Sequence, residues 1–163
     1  MATRSTIAVQ HADGRVSQIY CHWDGYLSHN GKLLFLHYPT LERVEKLVSH
    51  GDISSLAEHI DPFDDQPAHT FDQSQKGVTV YYGRDRGEEN CEPVIFRDIY
   101  QFTDEMNHEE YDYLFCAGQW RLRQRNGNFV IITPEMVGVE PEQGSHVGLV
   151  PIQNYLARFL ITE

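Results

Sequence analysis

The chain has 163 residues, 40% of them apolar and 12% aromatic, with 24 acidic against 13 basic side chains and a formal net charge of −11. That length suits a single domain with a core of its own, and the apolar fraction excludes a disordered chain. No apolar run approaches the roughly 18 residues that a membrane-spanning helix needs, and the charge argues against general binding to nucleic-acid phosphates.

Ile7 and Val9 alternate with small or polar neighbours, the pattern of a half-buried strand, and Asp13-Gly14 offers a two-residue turn into a second strand from Val16 to Trp23. Leu33 to Tyr38 is apolar and short, a helical turn or a strand. Residues 40 to 49 read as a helix: Pro39-Thr40 supplies its start and cap, Leu41, Val44, Leu47 and Val48 share one face, and Gly51 stops it. Asp52 to Leu56 reads as a second capped turn, and the polar residues 61 to 76, with two prolines, as the long loop.

Val78 to Tyr82 is β-branched and aromatic, hence a strand, followed by a charged, glycine-punctuated loop from Gly83 to Asn90. Ile95, Ile99, Phe102 and Met106 fall on one face of an amphipathic helix after Pro93. Tyr111 to Cys116, Gln119 to Arg125 and Asn128 to Thr133 read as three strands joined at Ala117-Gly118 and Asn126-Gly127, and Pro151 opens a C-terminal helix through Tyr155, Leu156, Phe159 and Leu160. The sum predicts a single α+β domain spanning residues 1 to 163, an antiparallel sheet of about five to six strands covered by two to three helices.

Three cysteines, Cys21, Cys91 and Cys116, form no CxxC pair and no disulfide framework, and the first residues lack the apolar stretch of a secretory signal; both point to a reducing cytoplasm. Cys21, His22 and Asp24 lie close enough in sequence to suggest a nucleophile, but adjacent strand residues face opposite ways, so Cys21 and His22 do not readily meet. Trp23, Asp24 and Tyr26 are candidates for a ligand or partner surface instead. Tyr81, Tyr82, Arg84 and Arg86 suggest a phosphate or carboxylate grip beside stacking aromatics, the alternative being that the arginines pair with neighbouring acids. Arg121, Arg123 and Arg125 share one face of their strand at period two, either gripping an anion or forming a solvated face paired with acids such as Asp112. No P-loop, GxGxxG, HExxH or EF-hand spacing occurs, so neither a metal nor a cofactor is expected.

The acids are unevenly distributed. Residues 88 to 112 hold nine of them against one base, Arg97, and residues 52 to 72 hold six against none. Such a surface, with Glu105, Glu109 and Glu110 among its members, repels phosphate and attracts basic proteins, although solubility alone would also account for it.

The opening Met1-Ala2-Thr3-Arg4-Ser5-Thr6-Ile7-Ala8, with Tyr20-Cys21-His22-Trp23-Asp24-Gly25-Tyr26, Gly51-Asp52-Ile53-Ser54-Ser55-Leu56 and Tyr82-Gly83-Arg84-Asp85-Arg86-Gly87-Glu88, resembles a group of small proteins of tailed bacteriophages and prophages over roughly residues 1 to 125. The resemblance carries over no activity and no catalytic residue. It implies a setting, the cytoplasm of an infected bacterium, and an accessory role. The resulting expectation is a non-enzymatic protein that binds a host or defence-system protein, with acidic segments for steering and Trp23, Tyr26, Tyr81 and Tyr82 as anchors. Two alternatives accompany it. One is sequestration or weak turnover of a nucleotide-like anion by Arg84 and Arg86, with His22 or Asp24 as acid–base groups; the other is a structural part of the virion. Oligomeric state is not legible in the residues.

Overall fold

The computed structural model describes residues 2–125 and 127–139, so the C-terminal helix expected from Pro151 lies outside the described residues. Period-two patterning builds β1 (Ser5–Gln10) and β2 (Val16–Cys21), paired antiparallel with Ile7 opposite Ile19. Their connection is longer than the two-residue turn expected at Asp13-Gly14. His11 N–H bonds Arg15 O at 2.8 Å around a three-residue loop, with Gly14 at φ +95° in the position that favours glycine.

The remaining strands are β3 (Ile53–Ser55), β4 (Val80–Tyr81), β5 (Val94–Phe96), β6 (Tyr111–Cys116), β7 (Gln119–Arg123) and β8 (Val130–Ile131). The helices are α1 (Lys32–His37), entered through a π-helical turn at Leu27–Gly31, α2 (Leu41–Ser49), α3 (Tyr82–Arg86) and α4 (Ile99–Glu105). Among the described residues this is one eight-stranded mixed sheet with four helices, which corrects the antiparallel sheet of five to six strands under two to three helices. Its strand order is β4-β3-β2-β1-β6-β7-β8, with β5 also pairing to β2.

Two pairings are parallel: β1 with β6, from Ser5 opposite Tyr111 to Val9 opposite Phe115, and β2 with β3 at Cys21 opposite Ile53. Side-chain alternation is the same in either direction, so periodicity alone cannot separate the two arrangements. Three elements also differ from the pattern: the loop expected from Gly83 to Asn90 opens with helix α3 at Tyr82–Arg86, because β4 ends at Tyr81. The expected turn at Asp52 contains β3, and the helix expected from Ile95 is divided, with Val94–Phe96 in β5 and helix only from Ile99. Asp98 caps that helix by accepting the Gln101 N–H at 2.8 Å, which is where the winding begins.

The sheet carries a core on each face. On the first, Ile7, Val9, Ile19, Cys21, Tyr113, Phe115, Trp120 and Leu122 meet α1 and α2 through Leu34, Val44, Leu47 and Val48. On the second, Ala8, Val16, Leu114 and Cys116 meet Phe102 and Met106 at α4. Burial on both faces makes β6 nearly continuously apolar. Its exception, Asp112, is held by its parallel partner: Thr6 Oγ1 donates to Asp112 Oδ1 at 2.8 Å.

Candidate functional site

Beyond Cys21 the chain leaves the sheet in a sharp turn that exposes two aromatics, Trp23 at 43% and Tyr26 at 37%. The backbone beneath them is pinned. Trp23 N–H donates to Ser54 O at 3.0 Å, Gly25 N–H to Thr3 O at 2.8 Å and Asn30 N–H to Asp24 O at 3.2 Å, while the buried Tyr113 hydroxyl donates to Gly25 O at 2.7 Å. Asp24 sits at φ +57°, a conformation that most side chains avoid and that such bracing sustains. Glycine is required next to it, because a Cβ on Gly25 would stand 2.7 Å from Ser5 Cβ and 2.9 Å from Thr3 O.

Fully buried Asn30 organises the underside. Its Nδ2 reaches Trp23 O at 3.2 Å, Cys21 Sγ at 3.3 Å and Ser5 Oγ at 3.4 Å, and its Oδ1 lies 2.9 Å from His29 Nδ1. Cys21 is therefore a packed core thiol: burial pushes it up to about 11, against the bonds from Asn30 and Ser5. His22 does not activate it. Its Nδ1 is 2.7 Å from the Tyr20 hydroxyl, and its ring meets Trp23 edge-on at 4.7 Å. This segment consequently displays side chains rather than assembling a nucleophile with its base.

The Tyr81–Arg86 segment has a structural task. Tyr81 is fully buried and its hydroxyl donates to Leu47 O at 2.6 Å, so it is not a surface anchor; Tyr82 is half-buried, 5.6 Å from the Phe71 ring. Arg84 donates from Nε to Asp85 Oδ1 at 2.9 Å, from Nη1 to Ile60 O at 2.7 Å and from Nη2 to Thr79 O at 2.9 Å, with its guanidinium 4.7 Å over the Tyr81 ring. Arg86 lies over Phe71 at the same distance. Arg84 thus ties the chain to itself, the pairing alternative, instead of facing an incoming anion.

Asp85 completes that closure. Its Oδ2 accepts Tyr81 N–H at 2.8 Å and lies 3.2 Å from His69 Nε2. His69 Nδ1 accepts the Gln75 N–H at 2.9 Å, which places the ring proton on Nε2, toward Asp85. Gln75 in turn donates to Phe63 O at 3.0 Å and Pro67 O at 2.9 Å. Burial alone would raise the Asp85 carboxyl, but Arg84, the Tyr81 N–H and His69 together hold it below the ordinary carboxylate range. The long polar loop is therefore fastened to α3 by a buried polar network.

β3 joins the two sequence segments, pairing with β2 on one side and β4 on the other. One acid acts on a tyrosine of each segment, with Arg4 opposing at Tyr20 and Arg86 at Tyr82. Glu109 acts on the Tyr20 hydroxyl and Glu88 on that of Tyr82, both hydroxyls being raised chiefly by burial. Glu109 is half-buried and its carboxyl is raised by burial, with Asp112 and Glu110 adding to the effect and Arg4 opposing it. Glu105 and Glu110 are exposed, and Glu110 Oε1 accepts the Arg4 N–H at 3.2 Å. The arginine ladder divides: Arg121 is only 5% exposed on the face that α4 covers, and the strand ends at Arg123, before Arg125. Arg121 is accordingly not part of a solvated face.

Among the described residues no helix is long and apolar enough to cross a membrane, and no group of three or more His, Cys, Asp or Glu side chains could hold a metal ion. Sequence reasoning missed Asn30, Tyr113 and His69, whose partners lie up to 88 residues away. The available signal was weak: a histidine and an asparagine beside otherwise ordinary loop residues. Comparison of the chain with protein-family models, with curated proteins and with solved structures finds no match in any of the three.

Proposed function

We propose that the protein is a non-catalytic binding protein whose Trp23–Tyr26 turn docks on a basic surface of a host or defence protein inside an infected bacterium. The observation that carries the reading is the contrast within residues 20 to 26: a backbone held by internal hydrogen bonds presents two exposed aromatics. Rigid, partly exposed Trp and Tyr residues are the side chains that supply most binding energy in protein interfaces, because little ordering entropy is lost when they are buried. The acid excess selects a basic partner, and the resemblance to phage proteins supplies the cellular setting.

The anion-sequestering alternative built on Arg84 loses support from that side chain's engagement with Asp85, Ile60 and Thr79. The test is affinity capture by the full chain from bacterial lysate, read by mass spectrometry, with Trp23→Ala and Tyr26→Ala in parallel. A stoichiometric protein retained by the wild type and lost in both variants is the expected result. Retention that ignores both substitutions would remove the turn from the interface.

A further inference from the structure

The Trp23–Tyr26 turn carries one charged side chain, Asp24, and the fold makes no use of its charge. Asp13, Asp61, Asp85 and Asp98 are each paired with an arginine or a lysine of this chain. The Asp24 carboxylate has no hydrogen bond or ion pair among the described residues. Inside the fold its charge only adds to the burial that raises the Cys21 thiol. The side chain is half-buried, and its neighbours in the turn are the exposed rings of Trp23 and Tyr26. Three Cα steps of about 3.8 Å keep the backbones of those two aromatics within roughly 11 Å of each other. The hydrogen bonds beneath the turn hold all three groups in place before any partner arrives.

We propose that the turn recognises an arginine side chain on the partner's surface, with Asp24 as the residue that sets this specificity and Trp23 and Tyr26 as its aromatic flanks. The inference rests on the docking reading above and names the group that docking selects. A guanidinium is planar, so it bonds a carboxylate at two points and also lies flat on an aromatic ring. It is more weakly hydrated than an ammonium and loses less on leaving water. This chain uses the same three groups internally. Arg84 bonds Asp85 at two points, Nε to Oδ1 at 2.9 Å and Nη2 to Oδ2 at 3.1 Å, while its guanidinium lies 4.7 Å over the Tyr81 ring. The turn offers a carboxylate and aromatic rings of the same kind, with no arginine among the described residues paired to them. A net charge of −11 favours the approach of a cation to this surface.

The probes are a blocked glycine–arginine–glycine peptide and its analogues with lysine or with citrulline, the uncharged isostere, in the central place. Each is titrated against the full-length protein while the Trp23 indole N–H is followed by NMR, with the buried Trp120 as internal control. The arginine peptide is expected to shift the Trp23 signal saturably, leave Trp120 unmoved and bind at least about fivefold tighter than the citrulline peptide. Asp24→Asn should erase that preference. Asparagine accepts the φ of +57° as aspartate does, so the turn keeps its shape and loses only the charge. No shift, equal binding of the arginine and citrulline peptides, or a preference that survives Asp24→Asn overturns the proposal. Tighter binding of the lysine peptide overturns the choice of a guanidinium. In capture from lysate, a partner lost on Trp23→Ala but kept by Asp24→Asn overturns the arginine proposal and leaves the docking reading standing. A partner kept by both Trp23→Ala and Tyr26→Ala removes the docking reading, and the proposal with it.

Discussion

Asn30 shows how one buried polar side chain can set an exposed surface. It is fully buried, and its amide nitrogen reaches Trp23 O, Cys21 Sγ and Ser5 Oγ. Asn30→Ala removes that buried donor and leaves Trp23 O only the long bond from the Cys21 thiol at 3.7 Å, so a loss of about 1–3 kcal/mol is expected in urea unfolding, together with faster amide exchange at Trp23 and Gly25. An unchanged exchange pattern would separate Asn30 from the turn. Two buried carboxylates should respond to acid in opposite senses. Asp85 titrates below its unfolded value, so its contribution is complete above the ordinary carboxylate pKa and is lost as pH falls through the lower folded value. Asp112 is raised, chiefly by burial and against the Thr6 and Glu109 bonds, so its ionised form costs stability at neutral pH and protonation relieves that cost. Asp85→Asn should therefore shrink the acid-induced loss of stability and Asp112→Asn should enlarge it, as read from urea midpoints between about pH 2 and 6.

The element that most depends on one backbone position is the connection from α2 into β3. Gly51 has φ +85°, its N–H donates to Val48 O at 3.0 Å, and a Cβ there would collide with the Cys91 carbonyl. Gly51→Ala combines left-handed strain of about 1–2 kcal/mol with that collision, so a total loss above about 2 kcal/mol is expected. Because Asp52 N–H bonds Cys91 O at 2.9 Å and Asp52 Oδ1 accepts Tyr20 N–H at 2.9 Å, the damage should spread to the β2–β3 junction. Thermal unfolding of Gly51→Ala beside Gly14→Ala, whose Cβ would meet open space, isolates the collision, since both sites carry the left-handed strain. Equal losses in the two variants would contradict this account.

Across the whole molecule, the charge imbalance is the property most open to measurement. If acids steer a basic partner, reversing Glu105, Glu109 and Glu110 to lysine should slow association and flatten its salt dependence, with a smaller effect on dissociation. Stopped-flow or surface-based kinetics with the captured partner would check this. Rates indifferent to both salt and reversal would leave the acids with solubility alone. The placement of these groups follows from the mixed sheet, which brings β6 beside β1 across more than a hundred residues and sets Glu109 close to Tyr20.

Local chemistry was legible where neighbours in sequence are neighbours in space. The cap at Thr40, whose Oγ1 accepts Arg43 N–H at 3.3 Å, and the helix it opens could be read from residue order. So could the Ala117-Gly118 hairpin, with both residues at positive φ. Each is decided by dihedral preference and hydrogen bonds spanning a few residues. The parallel pairings were not legible, because alternation specifies which face a side chain takes and not which strand lies alongside. The roles of Arg84 and Arg121 were hidden for a related reason. Arg84 meets the Ile60 carbonyl, 24 positions away, and Arg121 lies under a helix that precedes its strand; folding alone turned one into an internal tie and buried the other. Composition, charge and turn chemistry were thus determined by residue order, whereas strand neighbours and the destination of each buried donor were decided by long-range packing, whose partners no local pattern encodes.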